Sequence, residues 1–126
     1  MRKKILAFME DMHSNDAERV AEWFSEDSTL WIPPAPPVTG HSRIKALFRA
    51  MFSRYEFLQW TIIDILPVSD KRCIHICDSR GKIKGNNEYS NRVMTDITFN
   101  EEGKIICLSD YFKDTTVFST AAIVAD

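Results

Sequence analysis

The chain has 126 residues, 44% of them hydrophobic and 27% charged, with a formal net charge of −2. That is one domain's length with enough apolar residues for a core, and without the basic excess a nucleic-acid surface needs. The apolar run Ile5–Met9 is interrupted by Glu10 and Asp11, short of the roughly seven to fifteen residues of a secretory core. No stretch approaches the ~20 apolar residues of a membrane span, so a cytoplasmic protein with no membrane and no nucleic-acid partner is expected.

In chain order, Ile5, Phe8, Met9 and Met12 recur at i, i+3, i+4, i+7 and predict a helix over residues 2–13. Asn15, with Glu18 three residues on, is the expected cap of a second helix carrying Ala17, Val20, Ala21 and Phe24 on one face. Ser25-Glu26-Asp27 closes that helical pair, and Ser28–Ile32 reads as a short strand. The run Pro33-Pro34-Ala35-Pro36-Pro37 cannot enter a sheet interior, because proline has no backbone donor. It is expected to be a stiff, extended and partly apolar connector. Residues 40–55 form the clearest helix, with Ser42 as its expected cap and Ile44, Leu47, Phe48, Met51, Phe52 and Tyr55 as its stripe. Arg43, Lys45, Arg49 and Arg54 occupy its solvated faces.

Strands then follow over residues 57–68 and 72–80, turned by Ser69-Asp70, with Gly81 and Gly85 bracketing the next bend. The last two strands alternate cleanly. Tyr89, Asn91, Val93, Thr95, Ile97 and Phe99 share one face, and Asn100-Glu101-Glu102-Gly103 makes the turn. On the return strand Ile106, Leu108, Asp110 and Phe112 are in phase, which puts one carboxylate in an apolar row. Helices early and a meander late predict an α+β fold, the helices packed on one face of a curved antiparallel sheet. The tail, residues 119–126, would add an edge strand or pack on a partner chain.

Three cysteines cannot all pair within one chain, and Cys73, Cys77 and Cys107 are read as reduced core thiols. Cys73, His75 and Cys77 share a strand face, but the two thiols lie about 13 Å apart on an extended strand. No metal site is therefore expected. His75 faces a pocket or the core, and His13 and His41 sit near helix ends where exposure is expected.

The run Tyr-x-Asn-Arg-Val from Tyr89, Asn-Glu-Glu-Gly-Lys-Ile from Asn100 and Asp-Tyr-Phe-Lys-Asp-Thr from Asp110 resembles the C-terminal hairpin of SnoaL-like proteins. These belong to the nuclear transport factor 2-like (cystatin-like) superfamily. Phe24-Ser-Glu-Asp-Ser-Thr-Leu-Trp-Ile-Pro33 and Gly40-His-Ser-Arg-Ile44 extend the resemblance over residues 5–118. It implies a single domain over the whole chain, with three helices and a cone-shaped sheet enclosing an apolar pocket. It also implies a homodimer through the outer sheet face, where Arg92, Met94 and Asp96 point.

The resemblance also restricts the chemistry. Ketosteroid isomerases carry a base before the first-strand proline, a tyrosine on the first helix and a protonated aspartate on a late strand. Here those positions are Ile32, Phe8 and Thr95, so neither base nor oxyanion donor is in place. Limonene epoxide hydrolases use an Arg-x-Asp pair, which the sequence lacks, although Asp110 matches their last-strand acid. SnoaL-type cyclases use a single acid in an apolar cavity, and Asp110 is the candidate catalytic residue on that pattern. Burial would raise its pKa toward neutrality. Tyr89, Asn91, Trp31, Trp60, His75 and Phe112 are the candidate ligand-binding residues, suited to a small, largely apolar molecule without any cofactor. Two other classes stay open: a binder without catalysis, in which Asp110 only orders the hairpin, and a dimeric interaction or assembly domain.

Overall fold

A computed structural model gives the fold and describes residues 1–117; the expectation for the tail lies outside them. The elements are α1 (Arg2–His13), α2 (Ala17–Ala21), β1 (Phe24–Trp31), β2 (Val38–Thr39), α3 (His41–Arg54), β3 (Tyr55–Pro67), β4 (Arg72–Ile83), β5 (Glu88–Phe99) and β6 (Ile105–Phe112). The six strands form one curved, unclosed sheet in the order β2-β1-β6-β5-β4-β3. Every pairing is antiparallel except β1 with β6, which is parallel. The α+β class follows as expected, with the sheet mixed at that one seam.

The helices close the concave side. Ile5, Phe8, Met9 and Met12 are the buried stripe of α1, and Ile44 and Phe48 are that of α3. They join Phe24, Leu30, Val93, Ile97, Phe99, Ile105 and Leu108 in one core. The carboxylate of Asp11 ties α1 to α2 and to the approach to β1, accepting from Arg19 Nε and from the indole Nε1 of Trp23, each at 2.7 Å.

Several boundaries differ from expectation for local reasons. The α2 cap is Asp16, whose Oδ1 accepts from the backbone N–H of Glu18 and Arg19, while Asn15 takes the left-handed conformation at φ 57°. Phe24 opens β1 rather than closing α2. That strand is irregular between Phe24 and Thr29, and there the buried Ser28 hydroxyl accepts from Ser25 N–H and donates to the Ile105 carbonyl. A side chain thus supplies the hydrogen bonds that the ladder gives up. Gly40, not Ser42, is the α3 cap, at φ 99° and without a side-chain capping bond.

The most consequential irregularity lies on β6. Thr98 pairs with Cys107 but Phe99 pairs with Ile105, so Ile106 is an extra residue. The bulge reverses the inward–outward phase along the strand. Ile105 is buried in place of the expected Ile106, while Leu108, Asp110 and Phe112 keep their inward phase. Cys107 is exposed on the outer face, which corrects its assignment to the core, whereas Cys73 and Cys77 are buried thiols.

Candidate functional site

A cavity of about 440 Å³ opens between the concave face of the sheet and the helices. Phe8, Met9 and Met12 of α1 and Leu47, Phe48 and Met51 of α3 form its roof. Ile32, Pro33, Pro34 and Ala35 reach it from the proline loop, so that loop is part of the wall. The sheet contributes Leu58 and Trp60 from β3, His75, Cys77 and Ser79 from β4, Tyr89, Val93 and Thr95 from β5, and Leu108, Asp110 and Phe112 from β6. Most of this lining is apolar, with a few convergent polar groups, the composition expected of a small-molecule site.

Those polar groups are arranged by register. His75 on β4 stands opposite Thr95 on β5, and Thr95 stands opposite Asp110 on β6. Three polar side chains therefore form one row across the concave face. Without the Ile106 bulge, Thr95 would meet Ser109 and the carboxylate would lie on the other face.

Thr95 donates from Oγ1 to Asp110 Oδ1 at 2.6 Å. Burial pushes the Asp110 carboxyl up to about 7, and the Thr95 bond opposes that rise. Among the described residues no other bonds the carboxylate; Oδ2 is unpartnered among them, is not closed off, and belongs to a residue that lines the cavity. Asn91 and Tyr89, on the neighbouring strand, make their side-chain hydrogen bonds elsewhere, to Asp114 and Arg92 and to Tyr55.

His75 is buried beside this row. Its Nδ1 is shut away with no hydrogen-bond partner among the described residues, and burial lowers its pKa to about 4, so the imidazole is neutral at neutral pH. Cys77, one position further along the inward face, is pushed up to about 12, first by burial and then by Asp110 and Asp78. It lines the cavity as a protonated thiol.

Tyr89 and Tyr55 meet in the cavity wall. The Tyr89 hydroxyl donates to that of Tyr55 at 3.4 Å, with ring centroids 6.4 Å apart. Burial, then the Tyr55 bond, raises the Tyr89 pKa. The ring lies on Gly81, its register partner, and a Cβ there would come within 2.9 Å of the hydroxyl. Gly81 is therefore a mid-strand position cleared for an aromatic ring, not the bend expected. Trp60 is held by His13, whose Nε2 accepts from the Trp60 backbone N–H at 3.0 Å.

Two candidates lie elsewhere. Trp31 pairs with Ser109 on the outward side and is 48% exposed. The Asn91 amide is consumed by the chain after β6: it donates to the Asp114 carbonyl at 2.9 Å and accepts from the Asp114 N–H at 3.0 Å. Neither lines the cavity, which corrects both expectations. Sequence reasoning misses Thr95 as the partner of Asp110, although its place on the inward face is legible. The bulge conceals the pairing, and it has no clear signal in Ile-Ile-Cys-Leu.

The SnoaL-like domain family matches residues 5–108. The chain belongs to that family. Solved structures agree on the fold at low identity. A protein of ketosteroid isomerase-like fold from Catenulispora acidiphila, in complex with trimethylamine, superposes with a TM-score of 0.81 at 16% identity, covering 94% of this chain and 92% of that one. The epoxide hydrolase/cyclase-like enzyme SalBIII, of pyran ring formation in salinomycin, gives 0.79 at 12% identity over 91% of each chain. TerC, co-crystallised with polyporic acid, gives 0.79 at 16% identity over 94% of each. Within this SnoaL-like domain, among the described residues, no helix is long and apolar enough to cross a membrane, and no three or more His, Cys, Asp and Glu side chains gather as metal ligands.

Proposed function

We propose that the cavity binds a small, largely apolar molecule and that Asp110 exchanges a proton with it, without a cofactor, in an isomerase-, cyclase- or hydratase-like reaction. One observation carries this reading. Asp110 has one oxygen anchored by Thr95 and the other open to an apolar cavity, with its pKa raised to about 7. A carboxyl that is half ionised near neutrality can give and take a proton with similar ease. The similarity in fold to SalBIII, and to TerC crystallised with polyporic acid, accords with a flat or cyclic ligand. Thermal-shift screening of wild type and Asp110→Asn against ketones, lactones, epoxides and aromatics tests it. A ligand that stabilises wild type and turns over, but does not turn over on Asp110→Asn, is the expected result. Equal stabilisation of both proteins with no turnover would make the domain a binder.

A second reading concerns assembly. The convex face presents Met94, 42% exposed, between Ile76 and Tyr111, the latter 60% exposed, with Leu66 on the next row. We infer that this face meets a second copy of the chain. Met94→Arg should convert the dimer to a monomer in light scattering while leaving the thermal midpoint of the monomer intact. A wild type that is monomeric at high concentration would refute this.

A further inference from the structure

We propose that His75 is the hydrogen-bond donor that selects a carbonyl oxygen in this cavity, so that the ligand is a carbonyl compound spanning His75 and Asp110. The inference rests on the cavity being a ligand site and adds the class of ligand.

His75 lines the cavity yet is almost wholly buried. Of its two ring nitrogens, Nδ1 is closed off from solvent and has no partner among the described residues. Nε2 makes no hydrogen bond to them either, but is not closed off, and so is the nitrogen open to the cavity. A neutral imidazole carries one proton, and its position follows from the cost of the alternatives. A buried N–H without an acceptor is among the rarest defects in folded proteins, whereas a bare lone pair is better tolerated. The proton therefore sits on Nε2 and points into the cavity as a donor. Burial keeps the ring neutral, so it offers hydrogen bonding without charge and suits an uncharged acceptor.

The other fixed point is Asp110. Two strand spacings separate it from His75, about 10 Å between backbones, and both side chains project from the same concave face. A small ketone fits that interval, its oxygen against Nε2–H and its proton-exchanging position toward Oδ2. Thr95 lies between them but is turned to Asp110, to which it donates. The remainder of the wall is largely apolar, and such low-dielectric surroundings strengthen a single donor relative to its value in solvent.

Matched probes test this: 2-tetralone against tetralin, and 2-acetylnaphthalene against 2-ethylnaphthalene, titrated by calorimetry into wild type, His75→Phe and His75→Gln. His75→Phe should lower the ketone-to-hydrocarbon affinity ratio about fivefold, the worth of one ordinary hydrogen bond. His75→Gln, which keeps an N–H donor, should largely restore it. An equal ratio in wild type and His75→Phe overturns the proposal and leaves the cavity reading intact; if neither member of either pair binds wild type, both fall. Should His75→Phe not fold, imidazole ¹⁵N spectra of wild type decide the matter. An Nε2–H tautomer that shifts with the ketones and not the hydrocarbons supports the assignment, and an Nδ1–H tautomer in the ketone complex refutes it.

Discussion

The two faces of one sheet handle polar groups in opposite ways. On the convex face the charges pair with each other across neighbouring strands: Arg72 with Asp96 at 2.7 Å, Arg92 with Asp78 at 2.7 Å, and Arg80 with Glu88. All are open to solvent, and water can replace either partner. On the concave face the same strands bring His75, Thr95 and Asp110 into one row, where, among the described residues, only the Thr95–Asp110 bond is made. The convex groups are satisfied and contribute little. The concave groups are incompletely satisfied, and that leaves capacity for something the cavity receives. Alternation along β4, β5 and β6 produces both faces, so the difference lies in curvature and cover, not in composition.

The largest expected effect comes from stability against pH, because the two concave groups oppose each other. Asp110 has a raised folded pKa, so its contribution to stability is fully present below the unfolded value of 3.8 and is lost as pH rises through about 7. At 1.36 kcal/mol per pH unit that is at most about 4 kcal/mol. His75 has a lowered folded pKa, so its contribution is present above 6.5 and is lost as pH falls through about 4, at most about 3 kcal/mol. Between pH 4 and 6.5 the two slopes nearly cancel. Relative to wild type, denaturation midpoints of Asp110→Asn should rise with pH over this window, and those of His75→Phe should fall. Parallel curves for all three proteins would mean that neither group is desolvated as its position implies.

Gly81→Ala is a smaller intervention on the same face. The new methyl would meet the Tyr89 hydroxyl at 2.9 Å and two ring carbons at 3.0 Å, so the ring must shift away from β4, which disturbs its contact with Tyr55. We expect a loss of about 1–3 kcal/mol, as for other overpacked sites. An unchanged thermal midpoint would show that Tyr89 moves aside freely and does not shape the wall.

Much of this is legible in the sequence because it depends on period alone. The stripes of α1 and α3 place the roof, and alternation from Tyr89 to Phe99 places the inner face of β5. Asp110 stands out as a carboxylate in phase with Leu108 and Phe112. What period cannot convey is a change of phase. The Ile106 bulge, the Ser28 irregularity in β1 and the extension of β4 through Gly81 all depend on partners far along the chain. Trp31 misleads for a related reason: large aromatics suggest a pocket, but β1 joins β6 in parallel with Trp31 outward. Asn91 does face inward as its phase requires, and yet Asp114 occupies its amide. Phase gives direction; it does not give the partner.

The smallest effect should come from the convex ion pairs, and its smallness sharpens the contrast. Arg92 donates through Nε and a terminal nitrogen to the two oxygens of Asp78, at 2.7 and 3.2 Å. The bond raises the arginine pKa and lowers that of the aspartate, yet both side chains are half exposed and remain hydrated. A double-mutant cycle of Arg92→Ala and Asp78→Ala should give a coupling below either concave effect, and about 1 M salt should abolish it, since the screening length then falls to roughly 3 Å. Salt should leave the opposed slopes of Asp110 and His75 almost untouched, because desolvation, not a distant charge, produces them. If salt instead flattened the concave slopes and spared the Arg92–Asp78 coupling, the burial assigned to the two faces would have to be exchanged.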